Sequence, residues 1–360
     1  MKKHAIIPIF IPHQGCPNDC IFCNQRNITA RTAIPDAADV RAIIEKYLLT
    51  LTGRGLETIE VAFFGGSFTG ISISLQSMYL GVAKEYKDRG LISKIHLSTR
   101  PDYINVQILD NLKYYGVDII ELGVQSFDEE VLKLSNRGHN IACVYESAAL
   151  IKKYGFELGL QLMLGLPGDS LDKDIFSAKE LVKVYPSIAR LYPTIVIKDT
   201  QLYEMFLEGS YKPLTQEEAI LITKEMYKII SDAGINIIRV GLKSTDVIND
   251  SDIGAIAGGT FHPAFRQLVE GEIAKDMLEK QLVEFLSKND KSFENIKSIQ
   301  NGENIKAVFF CSRNESFSNM VGNNKINKKY FADRFPCVKI EYIIDNSIGL
   351  NTYILKEEKK

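Results

Sequence analysis

The apolar residues of this chain fall in short, β-branched runs separated by stretches of helical period. The runs Ala5–Ile11, Thr58–Phe64, Lys94–Ser98, Ile119–Val124, Phe156–Leu164, Ile188–Ile197 and Ile235–Val240 have the length and composition of buried parallel strands. Between them, Asp36–Leu49 carries Val40, Ile43, Ile44 and Tyr47 on one stripe and opens with Pro35 and Asp36, a helix start. Leu75–Lys87, Tyr103–Tyr115, Ala142–Tyr154, Lys173–Val184 and Glu217–Ala233 show the same period. Gly90, Gly116, Gly155 and Gly234 follow four of these helices, where a left-handed turn favours a residue without a Cβ. Six or seven successive βα units predict an α/β fold with a parallel sheet packed on helices. A closed barrel requires about eight, so the expectation is an open, partial (β/α)6-type barrel.

The pattern changes after about Gly258. Ala264–Leu286 reads as one long helix, and short strands are expected at Ile305–Cys311, Val338–Ile344 and Thr352–Lys356. The chain is therefore expected to divide into a barrel over residues 1–258 and a small α+β C-terminal appendage over 259–360. Between Lys288 and Lys339 lie ten Lys/Arg against five Asp/Glu. That excess suits either contact with phosphates or an ordinary solvated face.

Composition narrows the class. Of 360 residues 45% are hydrophobic and 24% charged, which excludes general disorder. With 43 basic and 45 acidic side chains the net charge is −2, which argues against polyanion binding by the whole molecule and leaves only a local basic face. No apolar run approaches the roughly eighteen residues of a membrane span, so no membrane partner is expected. The first apolar stretch is broken by Pro8 and Pro12 and reads as a strand, not a secretory signal, so the expected location is cytoplasmic.

Three of the six cysteines crowd into Gly15-Cys16-Pro17-Asn18-Asp19-Cys20-Ile21-Phe22-Cys23, directly after the first strand. The C-x3-C-x2-C spacing lets three thiolates converge on one inorganic centre, and iron–sulfur clusters and zinc both take such ligands. His13, three residues upstream, completes a possible zinc set of three cysteines and one histidine. A disulfide is disfavoured in a chain that is not secreted. Cys143, Cys311 and Cys337 read as packing residues. A four-iron cluster held by Cys16, Cys20 and Cys23 alone would keep one iron open for chemistry.

This motif resembles that of the radical S-adenosylmethionine (radical SAM) superfamily, which places CxxxCxxC after the first strand of a partial barrel, with a residue like Phe22 before the last cysteine. The resemblance implies a 4Fe-4S cluster and S-adenosyl-L-methionine (SAM) as cofactors. It also implies reductive cleavage of SAM to a 5′-deoxyadenosyl radical, and a reductant such as ferredoxin or flavodoxin. The cofactor site is then expected at the carboxyl ends of the strands. Gly65-Gly66-Ser67 after the second strand look like the family's GGE-type motif, with Ser67 replacing the acid, although paired glycines also make ordinary tight turns. Ser98 and Thr99 put two hydroxyls at the third strand end, and Arg100 beside them is either a substrate-side or a structural charge. Glu121, Gly123 and Gln125 share one face of the fourth strand. A ribose diol would satisfy both polar groups there, and a structural ion pair would equally satisfy Glu121. Arg137, in Asn136-Arg137-Gly138-His139, suits a bidentate grip on the methionine carboxylate. Gln161 and Gly165 share a face of the fifth strand, and the main chain at Thr194 ends the sixth, where it can read an adenine edge.

The segments ELGVQS, NRGH, LMLGLPGDS, LYPTIVIKDTQLYE and PLTQEEA, with FHPAFRQLVEGEI, are similar to the radical SAM portion of the Elongator complex catalytic subunit, which modifies the wobble uridine of transfer RNA (tRNA). The spacing of Gln125, Arg137 and Gln161 also resembles oxygen-independent coproporphyrinogen oxidase, and by that analogy Phe10 takes the place of a tyrosine beside SAM. Two features depart from the Elongator pattern. The first two cysteines are closer together here, and no acetyl-CoA pyrophosphate loop occurs before Lys360, so acetyltransferase activity is not expected. The implied function is a radical SAM enzyme with tRNA as candidate substrate. A small molecule or tetrapyrrole is the alternative, followed by a non-catalytic, zinc-stabilised RNA-binding protein.

Overall fold

The computed structural model describes residues 3–11, 20–23, 34–242, 255–289 and 306–357. They form two compact units, Met1–Pro263 and Ala264–Lys360. In chain order the first unit contains β1 (His4–Ile11), α1 (Ala37–Leu51), β2 (Thr58–Gly65), α2 (Ile73–Asp88), β3 (Lys94–Thr99), α3 (Val106–Tyr114), β4 (Ile119–Gln125), α4 (Glu129–Leu134) and α5 (Ile141–Lys153). It continues with β5 (Glu157–Leu164), α6 (Leu171–Val184), β6 (Ile188–Pro193), β7 (Ile195–Ile197), α7 (Gln201–Leu207), α8 (Gln216–Asp232), β8 (Asn236–Val240) and β9 (Ile256–Gly259).

Seven strands form one parallel sheet in the order β1-β2-β3-β4-β5-β6-β8. It is a curled half-barrel with helices packed against it, the partial barrel expected from the βα rhythm. Local chemistry sets the helix limits. Asp36 caps α1 in a capping box with Asp39, and Thr215 does the same for α8 with Glu218. The four glycines expected after helices hold φ between 69° and 80°.

The sheet has two chemically different faces. One carries Ile7, Ile9, Val61, Phe63, Leu97, Ile120, Leu160 and Ala189, all fully buried. Each large aliphatic side chain there contributes roughly 1.5–3 kcal/mol of burial. The other face carries Glu60, His96, Glu121, Gln161 and Arg190. The register staggers these residues across the sheet, pairing Ala62 with His96, Ser98 with Glu121, Gly123 with Gln161 and Gln161 with Arg190.

One expected strand is divided. Ile188–Ile197 breaks at Pro193, which has no N–H to give to a ladder. Thr194 then turns both its N–H (3.0 Å) and its hydroxyl (2.8 Å) onto the Leu164 carbonyl. Beyond it β7 leaves the main sheet and pairs antiparallel with β9.

The second unit contains α9 (Phe265–Asn289), β10 (Lys306–Ser312), α10 (Asn314–Val321), α11 (Ile326–Arg334), β11 (Val338–Ile344) and β12 (Ile354–Lys356). Its sheet runs β11-β10-β12, parallel on one side of β10 and antiparallel on the other. Ala274, Leu278, Leu282 and Leu286, at a spacing of one helical turn, pack with Val308, Phe310, Met320 and Phe331 into a separate core. Among the described residues no helix is long and apolar enough to cross a membrane.

Candidate active site

The segment from Cys20 to Cys23 is held by its main chain. The Cys23 N–H donates to the Cys20 carbonyl (2.9 Å), closing a tight turn. The Ile21 N–H donates to the Ser135 carbonyl (3.3 Å), and the Ile21 carbonyl accepts from the Leu202 N–H (2.8 Å). Ile21 is buried with Val196, Leu202 and Tyr211, and Phe22 packs on the same cluster. Cys16, with His13, lies outside the described residues. Among the described residues no group of three His, Cys, Asp or Glu side chains is placed to hold a metal ion.

Two guanidiniums meet at the buried Cys20 sulfur. Arg137 Nη1 donates to Sγ at 3.0 Å, and Arg100 Nη1 lies at 3.7 Å. Arg137 Nη2 also donates to the Gly123 carbonyl (2.5 Å), while its Nε is buried without a hydrogen-bond partner. Gln125 stands beside them in a left-handed backbone conformation (φ 73°), at an irregularity in the pairing of β4 with β5. Its Oε1 is buried and has no hydrogen-bond partner. A Cβ on Gly123 would lie 3.0 Å from Gln125 Nε2 and 3.6 Å from Arg137 Nη2, so glycine leaves room for both. His139 is buried nearby. Burial, then the charges of Arg137 and Arg100, push its imidazole down to about 3, so it is neutral.

The other expected site residues flank this cluster or turn away from it. Gly65 (φ 110°) brings the end of β2 against β1 so closely that a Cβ would sit 2.3 Å from the Ile11 carbonyl oxygen. Gly66 donates its N–H to that same oxygen (3.2 Å), and Ser67 is buried. Phe10 and Phe64 have ring centroids 6.5 Å apart at the ends of β1 and β2. Ser98 is half-buried, whereas the Thr99 hydroxyl is engaged by Thr69 (2.6 Å). Thr194 uses both its N–H and its hydroxyl on Leu164.

Glu121 and Gln161 belong to a different arrangement. Glu121 is fully buried, and its carboxylate accepts from Arg190 Nε (2.7 Å to Oε1) and from Gln161 Nε2. His96 Nε2 lies 3.2 Å from Glu121, and Nδ1 lies 3.4 Å from Glu60. Neither nitrogen meets strict hydrogen-bond geometry, although both face a carboxylate oxygen. His4 reaches the other oxygen of Glu60 (3.0 Å), and Arg190 spreads to the Tyr192 hydroxyl (3.2 Å) and over the Phe64 ring (5.0 Å). Six strands thus contribute to one polar belt, and the Glu121 carboxylate is engaged in the structural ion pair that the sequence also allows. Burial alone would raise the Glu121 carboxyl, but Arg190 and His96 hold it below its ordinary value. Burial alone would likewise lower His96, and Glu121 with Glu60 raises it instead. Sequence reasoning missed Glu60, His96 and Arg190. Their signal was a charged residue at alternate positions of apolar strands, on the face that carries Glu121.

A family model of the radical SAM superfamily matches residues 10–178, and one of the radical SAM C-terminal domain matches residues 186–275. The chain carries a radical SAM domain. It is 29% identical to a tRNA uridine(34) acetyltransferase of Methanocaldococcus infernus, over 60% of this chain and 48% of that protein. It is also 29% identical to human Elongator complex protein 3, over 63% of this chain and 49% of that protein. The chain spans about half the length of the curated relatives it matches. A solved structure of the M. infernus Elp3 lacking its N-terminal residues shares the fold, with a TM-score of 0.61 at 24% identity, over 77% of this chain and 64% of that one. The superfamily whose model matches uses a 4Fe-4S cluster and SAM. The residues present in this radical SAM site fit that pair. Guanidinium donors on a cysteine sulfur suit a thiolate ligand. The unpartnered Gln125 Oε1 and Arg137 Nε are buried polar atoms that a polar ligand would satisfy.

Proposed function

We propose that this chain is a radical SAM enzyme that holds a 4Fe-4S cluster on Cys16, Cys20 and Cys23, binds SAM against it at the strand ends, and acts on a wobble uridine of tRNA. The convergence of Arg137 and Gln125 beside Cys20, with polar atoms of both left open, carries the reading. The relatives, a tRNA uridine(34) acetyltransferase above all, support the substrate. When bound, the cluster supplies the electron that cleaves SAM to methionine and a 5′-deoxyadenosyl radical. The protein's own part is binding and exclusion of water. Arg137 offers its open Nε to the methionine carboxylate, the Gly65–Gly66 backbone faces the ammonium, and Phe10 supplies an apolar wall. The reductant is a low-potential carrier of the ferredoxin or flavodoxin kind. Acetyl transfer is not part of the proposal.

Anaerobically purified protein is expected to be brown, with about four irons per chain, and to cleave SAM when reduced by dithionite. Cys20→Ala should lose both properties. A colourless protein that takes up zinc would refute the cluster assignment. For the substrate, tRNA from a deletion strain should lack a wobble-uridine modification. Unchanged nucleosides alongside an altered metabolite would transfer the radical chemistry to a small molecule or tetrapyrrole.

A further inference from the structure

Arg100 sits at the end of β3, far in sequence from the cysteine loop, yet it is 3% exposed and its Nη1 points at Cys20 Sγ from 3.7 Å. It is braced from behind. Its Nε and Nη2 form a fork onto the two oxygens of Asp102, both at 2.9 Å. Nη2 also donates to the carbonyl of Arg137, so both cations on the sulfur are tied to one piece of backbone. The two differ in what they can do. Arg137 retains an open Nε and can turn its donors to a ligand, whereas the fork and the carbonyl fix Arg100 in place.

We propose that Arg100 sets the reduction potential of the cluster, its fixed positive charge beside the Cys20 sulfur favouring the reduced state. This inference rests on the cluster assignment above. Reduction adds one electron, drawn from an external low-potential donor, to a centre already made anionic by its thiolates. No bond forms or breaks at Arg100. A cation held against a ligating sulfur in a buried site stabilises the added negative charge, and hydrogen bonds to cluster sulfurs act in the same direction. Because Arg100 is held independently of SAM, its effect is present with and without SAM.

The test is an EPR-monitored redox titration of the reconstituted holoenzyme, wild type against Arg100→Met, with iron content measured on the same samples. The expected result is a full complement of iron and a reduced-to-oxidised ratio about tenfold lower at the same poise, a fall of about 59 mV for a one-electron couple. Arg100→Lys keeps the charge but loses the fork, and should give a smaller shift of the same sign. It also serves if the Met variant does not fold. An unchanged potential at full iron content in either variant overturns the proposal. A wild type that binds no cluster overturns the cluster assignment as well, which separates the two failures.

Discussion

Two buried polar regions share one face of the same sheet and are built in opposite ways. In the belt, Glu121 meets Arg190 and Gln161, and His96 lies between Glu121 and Glu60, so each carboxylate faces a basic side chain. At the strand ends, two guanidiniums crowd one sulfur, and Arg137 Nε and Gln125 Oε1 stay without hydrogen-bond partners. The two buried histidines report the contrast. Burial opposes charge on both, but the carboxylates around His96 raise it, while the arginines beside His139 join burial and push it to about 3. Opposite charges paired within the protein rigidify a core even where a ring such as His96 is imperfectly aligned, whereas like charges with open polar atoms beside them are completed by whatever binds. The difference separates the part of the barrel that holds its shape from the part that meets cofactor.

Removing a charge from the belt should give the largest effect. Arg190→Met leaves Glu121 buried without its main cation and should cost about 3–5 kcal/mol of unfolding free energy in chemical denaturation. Adding Glu121→Gln should restore much of that loss. A cost under about 1 kcal/mol would mean the belt is not the ion-paired network described.

The histidines break the comparison next, by pH. His139 falls from 6.5 in the unfolded chain to about 3 when folded. The unfolded state therefore binds the extra proton between those values, and stability is lost as pH falls from 6.5 towards 3, on the order of 4 kcal/mol in all. His139→Gln should flatten that acid limb in thermal melts. Asp102 opposes the effect of Arg137 and Arg100 on this ring without cancelling it. The belt has the reverse dependence on its alkaline side. His96 is raised above 6.5 when folded, so its contribution is whole below 6.5 and is lost as pH rises through the raised value. Glu60 and Glu121 are lowered below 4.5, so theirs is present above 4.5 and lost as pH falls through the folded values. Belt stability is thus greatest between 4.5 and 6.5. His96→Gln should remove the alkaline loss, and an alkaline limb that persists unchanged in the variant would contradict this account of the belt.

The strand ends were more legible in sequence than the belt beneath them. Gln125 ends β4 and Arg137 follows it at short range, and their motif and turn context point to the barrel mouth. The belt depends on which residue of each strand stands opposite which, and that stagger is set by strand pairing and tilt, not by any local pattern. Glu60, His96 and Arg190 therefore look like isolated charges when read strand by strand. The same limit applies to Arg100, whose partner Cys20 lies in a different βα unit. Pro193 was visible in the run Ile188–Ile197, but the departure of β7 to pair with β9 required a partner more than fifty residues away. The short helices α4, α7, α10 and α11 carry too few turns for a helical period to declare itself.

The smallest expected change in stability is the sharpest test of how the strand ends are built. Gln125 holds φ at 73°, a region in which a side chain with a Cβ costs on the order of 1 kcal/mol or more and glycine costs little. Its Oε1 gains nothing for that strain inside the protein, because it has no hydrogen-bond partner there. Gln125→Gly should therefore leave the unfolding free energy unchanged or raise it by about 1 kcal/mol, while SAM affinity measured by calorimetry on the holoenzyme falls. The opposing signs are what matter. A belt residue replaced by a smaller one should lose stability, whereas this position should lose only ligand. If Gln125→Gly instead loses stability and keeps SAM affinity, the left-handed turn serves the fold, and the division between a self-sufficient belt and an unfinished rim does not hold at β4.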